Sequence, residues 1–536
     1  MASNRPQTVL DATRDLMRGL GLTTVFGNPG STEEAFLENW PSDLTYVVGL
    51  HEASVVAMAD GWSRVMRRPV LVNLHTSAGV GNGMGSLITA WHNKTPLILT
   101  AGQQTREMLL IEPLLTNLDS TALPRPYVKL SLETARAEDA PASLMRAHAL
   151  AMQPPAGPVF LSWPMDDWTK PAGATVQPRT VSRRLPASEE ALRSVAEALA
   201  GARSVALVLG AGVARSEGWA DAVALAERLR CAVYAAPWTE AASFPEDHPL
   251  FQGMLPPAIG PLSERLQGHD VVLVLGAPVF RYYPHVPGSY LPEGSRLFHV
   301  TDDPMEAARA PVGDSVLADP AAAIRLLTTM VGQAKGAAPA PRPQPGAPAP
   351  ATPMTADLLF HAIAAVRPDG AVMVHETPSN TKDLQRRWPA TQPDSYYTFA
   401  SGVLGYALPA AVGIALAERQ LGRHRPVVAV IGDGSFQYSV QGLWTAAQFR
   451  LPVVFVVPSN SEYAILKSFA EMEDTPGVPG LDLPGLDIAS IARGYGCTAQ
   501  VAATPAEAQD AMRDALGRQG PTVIIAPVSP EVPPLL

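Results

Sequence analysis

The sequence predicts an α/β protein of three domains, each with a parallel sheet, and three observations support this. The chain has 536 residues, whereas a single domain usually has about 100 to 200. Short runs of β-branched residues alternate with longer helical patterns along the whole chain. The runs are apolar throughout, which is typical of parallel strands covered by helices on both faces.

The predicted elements recur in each third of the chain. Strands are predicted at residues 69–74, 204–209, 271–275, 426–431, 452–457 and 522–526. Helices are predicted between them, for example at residues 188–199, 221–229 and 505–516. The alternation predicts βαβ crossovers, which join parallel neighbours.

Proline marks the domain boundaries. Residues 336–353 (GAAPAPRPQPGAPAPATP) contain seven of the 53 prolines, and such a segment favours an extended, semi-rigid spacer. A weaker break spans residues 169–186. We therefore predict domains at residues 1–170, 187–335 and 354–536, with residues 336–353 as a Pro/Ala-rich linker.

Composition excludes several classes of protein. The net charge is −10 and no Lys/Arg run occurs, which argues against nucleic-acid binding. The two cysteines, Cys231 and Cys497, are far apart, so a disulfide framework or a zinc site is not expected. Residues 1–22 lack the apolar core of a signal peptide, and residues 271–280 are too few to span a bilayer as a helix. A soluble cytoplasmic protein is expected.

A first glycine-rich segment covers residues 70–85 (VLVNLHTSAGVGNGMG). The pattern predicts a strand that ends at Leu74, then His75 and a glycine-rich loop, then a helix through residues 87–91. Ligands of parallel sheets bind beyond the carboxyl ends of strands. Close packing between a helix and a strand explains such glycines equally well.

A second segment covers residues 426–460 and carries polar side chains at two successive strand ends. Gly432-Asp433-Gly434-Ser435 follows one strand, and Ser459-Asn460 follows the next. A carboxylate, an amide oxygen and a backbone carbonyl, completed by diphosphate oxygens, suit octahedral Mg²⁺. The glycines and the following helix N-terminus favour a phosphate group.

Glu52 lies in residues 47–61 (VVGLHEASVVAMADG), between a strand-like run and a helical pattern. A glutamate at a helix N-terminus is favourable by itself, so a solvated helix-start carboxylate is the simplest interpretation without further context.

These segments resemble the thiamine diphosphate-dependent 2-keto acid decarboxylases, and most closely the benzoylformate decarboxylases among them. The resemblance covers nearly the whole chain. It is carried by VFGNPGSTE (25–33), HEASVVAMADG (51–61), NLHTSAGVGNGMG (73–85), LILTAGQQT (97–105), GHDVVLVLGAPVFRY (268–282), EAARAP (306–311), ALPAAVG (407–413), VIGDGS (430–435) and VPGLDLPG (478–485).

The resemblance implies pyrimidine-binding, central and diphosphate-binding domains. It also implies that Glu52 of one chain meets Asp433 and Asn460 of another, so that the active unit is at least a dimer and is expected to be a homotetramer. The cofactors implied are thiamine diphosphate and Mg²⁺, or Ca²⁺ in its place. Glu52 would bond the pyrimidine ring and favour the tautomer that removes the thiazolium C2 proton.

The resemblance assigns the remaining cofactor residues by position. Leu404 would support the bent cofactor, and the Gly402 carbonyl would accept a hydrogen bond from its exocyclic amine. The metal would be held by Asp433, by Asn460 and by the backbone oxygen of Glu462. The other residues expected around the cofactor are Gly432, Gly434, Ser435, Tyr463, Ala464 and Ile465. The sequence departs from the family at Ser459, where an asparagine is usual, and at the charged Glu462.

The catalytic residues implied besides Glu52 are Ser31, His75, Tyr283 and His285. Ser31 would bind the substrate carboxylate, although STEE (31–34) also reads as a capping box. His75 would transfer protons, although a histidine at a strand end is often structural. Tyr283 occupies the position of a second family histidine and is a poorer acid–base group at pH 7. His285, two residues on, is the alternative.

The expected substrate pocket is formed by Ser31, His75, Thr398, Ile465, Leu466 and Phe469. Ile465 stands where the resemblance places a small alanine, and about three extra carbons favour smaller aliphatic 2-keto acids. A backbone shift that still admits a phenyl ring is an equal alternative. Thr398 and Phe399 also differ from the family pattern.

The expected reaction is non-oxidative decarboxylation of a 2-keto acid, with benzoylformate to benzaldehyde and CO₂ as first candidate. A carboligase of the acyloin or acetolactate type is the alternative, as a side or main activity. A non-catalytic cofactor-binding protein is disfavoured by Glu52, His75, Asp433 and Asn460. LGAGV (209–213) weakly suggests a nucleotide site in the central domain.

Overall fold

The computed structural model describes residues 6–535, so that the outermost positions of the first and last predicted domains lie outside it. Three six-stranded sheets follow one another along the chain, and every pair of neighbouring strands runs parallel. Each sheet has helices on both faces. The predicted fold class is therefore confirmed, and so are all six predicted strands and the three named helices to within two residues.

The first sheet has the strand order β2-β1-β3-β4-β6-β5. Its elements are α1 (Val9–Gly19), β1 (Thr24–Gly27), α2 (Glu34–Leu37), β2 (Thr45–Val48), α3 (Glu52–Met66), β3 (Val70–Leu74), α4 (Thr76–His92), β4 (Leu97–Gln103), β5 (Ser131–Glu133), α5 (Ala140–Met152) and β6 (Val159–Pro164). The central strands β3, β4 and β6 are buried along their whole length, as their apolar sequences require.

The second sheet has the order β12-β11-β10-β7-β8-β9. Its elements are α6 (Glu189–Gly201), β7 (Val205–Leu209), α7 (Ala211–Arg215), α8 (Trp219–Leu229), β8 (Ala232–Ala235), β9 (Phe251–Met254), α9 (Ile259–Arg265), β10 (Val271–Leu275), β11 (Arg296–Thr301), α10 (Pro304–Arg309), β12 (Asp314–Leu317) and α11 (Pro320–Met330).

The glycines of LGAGV lie where the ends of β7 and β10 meet. A Cβ atom on Gly212 would lie 2.6 Å from the Cα atom of Gly276, and one on Gly210 would lie 2.7 Å from the Gly276 carbonyl oxygen. Because these contacts are between backbones, only glycine fits there. Packing of two strand ends therefore accounts for the motif without a nucleotide.

The third sheet has the order β14-β13-β15-β16-β18-β17. Its elements are α12 (Ala356–Ala364), β13 (Val372–Glu376), α13 (Thr381–Arg387), β14 (Tyr396–Tyr397), α14 (Ala407–Gln420), β15 (Val427–Ile431), α15 (Asp433–Phe436), α16 (Gly442–Gln448), β16 (Val453–Ser459), α17 (Ala464–Met472), α18 (Ile488–Gly494), β17 (Thr498–Val501), α19 (Pro505–Leu516) and β18 (Thr522–Pro527).

The first and third domains pack through α3 and α14, and their apolar residues form one continuous core. Glycine lets the two backbones touch: a Cβ atom on Gly413 would lie 1.9 Å from the Met58 carbonyl oxygen, and one on Gly61 would lie 2.3 Å from that of Ala410. The proline-rich segment lies along the central domain, where the Arg342 guanidinium stacks over the Phe251 ring. Within residues 6–535 no helix has the length and apolarity needed to span a bilayer.

Candidate active site

Glu52 is the first residue of α3 and its side chain is buried beside α4. Two amide groups hold the carboxylate, since Asn28 Nδ2 donates to Oε1 and Asn82 Nδ2 donates to Oε2, each over 3.1 Å. The simplest interpretation, a solvated helix-start glutamate, is therefore wrong, because the side chain is only 6% exposed. The asparagines of the NPG and GNG motifs were not predicted as partners of Glu52.

The glycine-rich segment after β3 forms the first half of α4 rather than a loop, so the predicted loop is wrong. Two of the four glycines face α3: a Cβ atom on Gly79 would lie 3.3 Å from Glu52 Cγ, and one on Gly83 would lie 3.2 Å from Val56 Cγ2. Small residues here let α3 approach α4 closely and leave room for the Glu52 carboxylate. Helix–helix packing, rather than helix–strand packing, explains the motif.

His75 lies at the N-cap position of α4 and is held through one ring nitrogen. Its Nδ1 atom lies 2.7 Å from Glu33 Oε2 and 3.2 Å from Thr32 Oγ1. A carboxylate accepts hydrogen bonds only, so Nδ1 carries a proton and donates it. Nε2 remains for proton exchange, and the side chain is 22% exposed, so the ring is accessible.

Glu33 is the partner that sequence reasoning missed. It is 2% exposed, and its Oε1 also accepts from the Gly102 N–H at the end of β4, over 2.8 Å, and from the Thr32 hydroxyl. Glu33 itself occupies the N-cap of α2 and its side chain points to His75, so the predicted capping box is wrong.

Ser31 is exposed and follows Gly30, whose backbone lies against the His75 ring. A Cβ atom on Gly30 would lie 2.0 Å from His75 Nδ1, so glycine is needed at this close approach. The structure thus brings Ser31 and His75 to one edge of the first sheet, as expected for two groups acting on one substrate.

The strand ends of the third sheet meet as the sequence predicts. β15 pairs with β16, and the carboxylate of Asp433, which begins α15 after β15, is held from the end of β16. Its Oδ2 accepts from Ser459 Oγ over 3.0 Å and from the Ser461 N–H over 2.7 Å. Burial raises the pKa of Asp433, although these hydrogen bonds oppose the rise. Ser459, the departure from the family pattern, orients this carboxylate.

Asn460 and Glu462 follow the end of β16 in the chain. The Glu462 N–H lies 3.3 Å from Asn460 Oδ1. Glu462 Oε2 pairs with Lys467 Nζ, which also lies 2.7 Å from Asp482 Oδ1. The Glu462 side chain is therefore balanced by a lysine, while its Oε1 is buried and has no hydrogen-bond partner among residues 6–535.

The donor set fits a hard divalent cation and a diphosphate. The Asp433 carboxylate, the Asn460 amide and backbone carbonyls are oxygen ligands of the kind Mg²⁺ and Ca²⁺ prefer. The backbone after Asp433 also lies close to a neighbouring ring, since a Cβ atom on Gly434 would lie 2.4 Å from Tyr463 Cε1. Gly432 caps α15, Ser435 is buried in it, and Ala464 is buried at the start of α17.

Gly402 and Leu404 precede α14. Gly402 is exposed and has φ +74°, a conformation that favours glycine, and a Cβ atom there would meet no heavy atom within 4 Å. Leu404 is half-buried. This segment therefore presents backbone and one apolar side chain toward open space, as a cofactor support requires.

The predicted substrate wall lies on α17, which carries Ile465, Leu466 and Phe469. The ring of Tyr283, from the central domain, packs on Phe469 with centroids 4.9 Å apart. His285 is exposed. Of the two candidates for the second histidine position, Tyr283 is the one whose side chain contacts this wall. Thr398 is buried, and its hydroxyl donates to the His375 carbonyl over 2.9 Å.

Comparison with known proteins places these features in a family. Three family profiles match successive parts of the chain: "Thiamine pyrophosphate enzyme, N-terminal TPP binding domain" at residues 7–123, "central domain" at residues 192–327, and "C-terminal TPP binding domain" at residues 378–526. Together they cover most of the three-sheet architecture, and the outer two contain Glu52 and Asp433 respectively.

Individual relatives match over almost their whole length. Benzoylformate decarboxylase from Pseudomonas aeruginosa is 44% identical over 525 residues, which are 97% of this chain and 99% of that protein. The crystal structure of benzoylformate decarboxylase from Polynucleobacter necessarius superposes with a TM-score of 0.97 at 50% identity, covering 99% of this chain and all of that one. A 4-hydroxybenzoylformate decarboxylase from Rhodococcus jostii gives 0.95 at 41% identity, covering 98% and 100%.

These full-length matches agree with the strand orders, with the buried carboxylate on α3 and with the oxygen ligands at the ends of β15 and β16. The chain belongs to the family of thiamine diphosphate-dependent enzymes, and benzoylformate decarboxylases are among its relatives in that family.

Proposed function

We propose that the chain catalyses the thiamine diphosphate-dependent, non-oxidative decarboxylation of an aromatic 2-keto acid, with benzoylformate converted to benzaldehyde and CO₂. The observation that carries the proposal is the buried Glu52 carboxylate, fixed by Asn28 and Asn82 in a domain of the thiamine pyrophosphate type. A carboxylate held in a mostly dry pocket can exchange a proton with a cofactor ring that water would otherwise solvate.

The cofactor would be held by both outer domains. Asp433, Asn460 and the Glu462 carbonyl would bind Mg²⁺, and the turn from Gly432 to Ser435 would bind the diphosphate. Gly402, Leu404, Tyr463, Ala464 and Ile465 would line the rest of the site. When bound, thiamine diphosphate supplies the nucleophilic carbon and the electron sink for loss of CO₂. The side chains of the protein would bind and orient the substrate and would exchange protons with it and with the cofactor ring.

Two side chains of the first domain would act on the substrate. The exposed Ser31 hydroxyl would donate a hydrogen bond to the substrate carboxylate and orient it. His75 Nε2 would donate and accept protons at the substrate oxygen, because Glu33 keeps the other ring nitrogen protonated. Tyr283, whose ring packs against Phe469 at a tilt, would cover the aromatic end of the substrate, and His285 is the less favoured candidate.

The pocket leaves a second substrate class open. Ile465 adds bulk next to Leu466 and Phe469, which favours smaller aliphatic 2-keto acids over a planar ring. Transfer of the same fragment, the acyl-anion equivalent left after loss of CO₂, to an aldehyde is a carboligase activity and would need the same residues. Product analysis with and without added aldehyde separates these alternatives, and absence of free aldehyde product would contradict the decarboxylase assignment.

The active unit would be at least a dimer, and a homotetramer is the family expectation. Support comes from a segment after β4 whose apolar side chains a lone chain leaves in water: Leu110 is 93% exposed, Leu114 90% and Ile111 71%. A second chain would cover them and bring its own Asp433 and Asn460 toward Glu52. Light scattering on the purified protein measures the assembly directly.

The decisive experiment compares Glu52→Gln with wild type. Aldehyde and CO₂ formation from benzoylformate should fall at least about 100-fold. Asn28 and Asn82 can hydrogen-bond a glutamine, so the fold should remain and the melting temperature should change little. Glu189→Gln, the same change at an exposed helix start in the central domain, serves as the control. Unchanged turnover in the Glu52 variant would contradict the mechanism.

A further inference from the structure

Glu240 of the central domain is a buried residue that contacts both other domains, and it has been given no role so far. Glu240 lies between β8 and β9 and is 1% exposed. Its Oε1 accepts from Arg215 Nη1 over 2.5 Å, and its Oε2 accepts from Arg281 Nη1 over 2.8 Å. Burial alone would raise the pKa of this carboxyl, but Arg281, Arg215 and Arg64 hold it below its ordinary value. Glu240 is therefore an ionised, fully paired group in the interior.

The backbone of the same residue contacts both outer domains. The Glu240 carbonyl oxygen accepts from Arg64 Nη2, on α3, over 2.6 Å and from the Thr398 N–H over 2.9 Å. Arg64 Nη1 in turn donates to the Thr398 carbonyl over 2.7 Å. One position of the central domain is thereby tied to α3 and to the segment that leads to Gly402.

The Glu240 side chain is connected to the predicted substrate wall on α17 through Arg281. Arg281 also donates to the Trp238 carbonyl over 2.7 Å, through the same Nη1 atom that contacts Glu240. Tyr283 follows Arg281 by two residues in a segment without helix or strand, and its exposed ring packs on Phe469. The Tyr283 N–H donates to the Pro257 carbonyl over 2.7 Å, so this segment is anchored through its backbone at Tyr283 and through the side chain of Arg281.

We propose that Glu240 is a positioning residue for substrate binding, which acts through Arg281 to hold Tyr283 against Phe469. The inference rests on the proposed function and deepens it, since it assigns recognition of the aromatic ring to a carboxylate that touches neither substrate nor cofactor. Loss of the pair would remove one anchor of the segment around Tyr283, the hydrogen bond to Pro257 remaining, and would weaken binding of the phenyl ring. The proton-transfer groups Glu52 and His75 would stay in place.

The test is the KM and kcat of Glu240→Gln with benzoylformate. The KM should rise about 10-fold and kcat should change less than about 3-fold, because only ring binding is affected. The Kd of an unreactive phenyl 2-hydroxy acid, measured by calorimetry, should rise by the same factor. Arg281→Gln should give a similar rise, and the double variant should be no worse than either single one, since both act through one contact.

Glu418→Gln is the matched control. Glu418 is also 1% exposed and accepts from two arginines, Arg423 and Arg425, but at the far end of α14. It should lower the melting temperature as much as Glu240→Gln without raising the KM. A Glu240 variant that loses stability but keeps the wild-type KM and Kd would overturn the inference.

Failure of the variant to fold and failure of the proposed function can each be distinguished from failure of the inference. If Glu240→Gln does not fold, Arg281→Gln, which removes the other partner of the pair, should still raise the KM, and an unchanged KM there would overturn the inference. If wild type itself yields no aldehyde from benzoylformate, the proposed function fails. The calorimetric Kd of the phenyl ligand in wild type and variants then still decides whether Glu240 positions an aromatic site.

Discussion

His75 Nδ1 and Glu33 Oε2 lie 2.7 Å apart at the edge of the first sheet. The carboxylate is buried and is itself fixed by the Gly102 N–H, so it can neither turn away nor be solvated. It therefore sets both the orientation and the protonated nitrogen of the imidazole. The pair has the arrangement of a general acid–base group with its orienting partner.

Glu33→Gln should lower kcat for benzoylformate by roughly 100-fold with a smaller change in KM. The glutamine amide must satisfy both Gly102 N–H and His75 Nδ1–H with one oxygen, so the ring loses its fixed tautomer. Steady-state kinetics with benzoylformate measures both kcat and KM.

The neighbouring Glu34 provides the control, because it undergoes the same change one residue along the chain but its side chain is exposed. Glu34→Gln should keep the wild-type kcat and KM. If Glu33→Gln behaved like this control, His75 would not depend on the carboxylate.

Gly413→Ala tests the contact between the first and third domains. An alanine is favoured over glycine in the middle of a helix by about 0.5 to 1 kcal/mol. Here its Cβ would lie 1.9 Å from the Met58 carbonyl oxygen, which belongs to a helix and cannot move aside. Overpacking should therefore dominate and destabilise the protein by about 2 to 3 kcal/mol. Differential scanning calorimetry should show a lower melting temperature.

Gly201→Ala is the matched control, because Gly201 is the last residue of α6 and a Cβ atom there meets no heavy atom within 4 Å. Its melting temperature should equal or slightly exceed that of wild type. Equal melting temperatures for both variants would show that α3 and α14 can separate without cost.

Glu246 should make the stability depend on pH. Burial raises the pKa of its carboxyl from 4.5 to about 7, although the Ala390 N–H, 2.8 Å from Oε2, opposes the rise. The folded state thus holds the proton more tightly than the unfolded state. The resulting stabilisation is complete below pH 4.5 and is lost as the pH rises through 7, by up to about 3 kcal/mol.

Glu246→Gln should remove this component, so that the fall in melting temperature between pH 5.5 and pH 8 becomes smaller than in wild type. Glu264→Gln, an exposed position on α9, should keep the wild-type difference. Identical pH dependence in wild type and Glu246→Gln would mean that Glu246 titrates normally in the folded protein.

The sequence predicts those parts of the site that depend on strand ends. Asp433 and Ser459 meet because β15 and β16 are parallel neighbours, and alternating apolar strands and helices already indicate that geometry. Glu33 could not be found in this way, since its partners His75 and Gly102 are 42 and 69 residues distant. The local pattern STEE pointed instead to a cap.

The glycines of α4 were misread for a related reason. Four glycines between residues 79 and 85 resemble a loop when only local propensity is considered. In the folded chain the backbone of α4 must approach Glu52 and Val56, and the tertiary contact outweighs the helix propensity. A pattern of glycine every fourth residue, at Gly79 and Gly83, is the signal that would have indicated a helix face.

Ile465→Ala should widen the substrate pocket. Ile465 is half-buried on α17 beside Leu466 and Phe469, and removing three carbons makes room for a planar ring. The ratio of kcat/KM for benzoylformate to kcat/KM for pyruvate should rise at least about 10-fold, since a methylene or two in an apolar pocket changes specificity by about 1 to 3 kcal/mol. Parallel assays of both substrates give the ratio independently of the active fraction of enzyme.

Ile491→Ala makes the same change at a half-buried position of α18, outside the pocket. It should lower the melting temperature through the lost packing and leave the substrate ratio unaltered. If Ile465→Ala left the ratio unaltered as well, the phenyl ring would not pass Ile465 on its way into the site. The selectivity would then have to come from Tyr283 and Phe469, whose rings already touch across the boundary between the central and third domains.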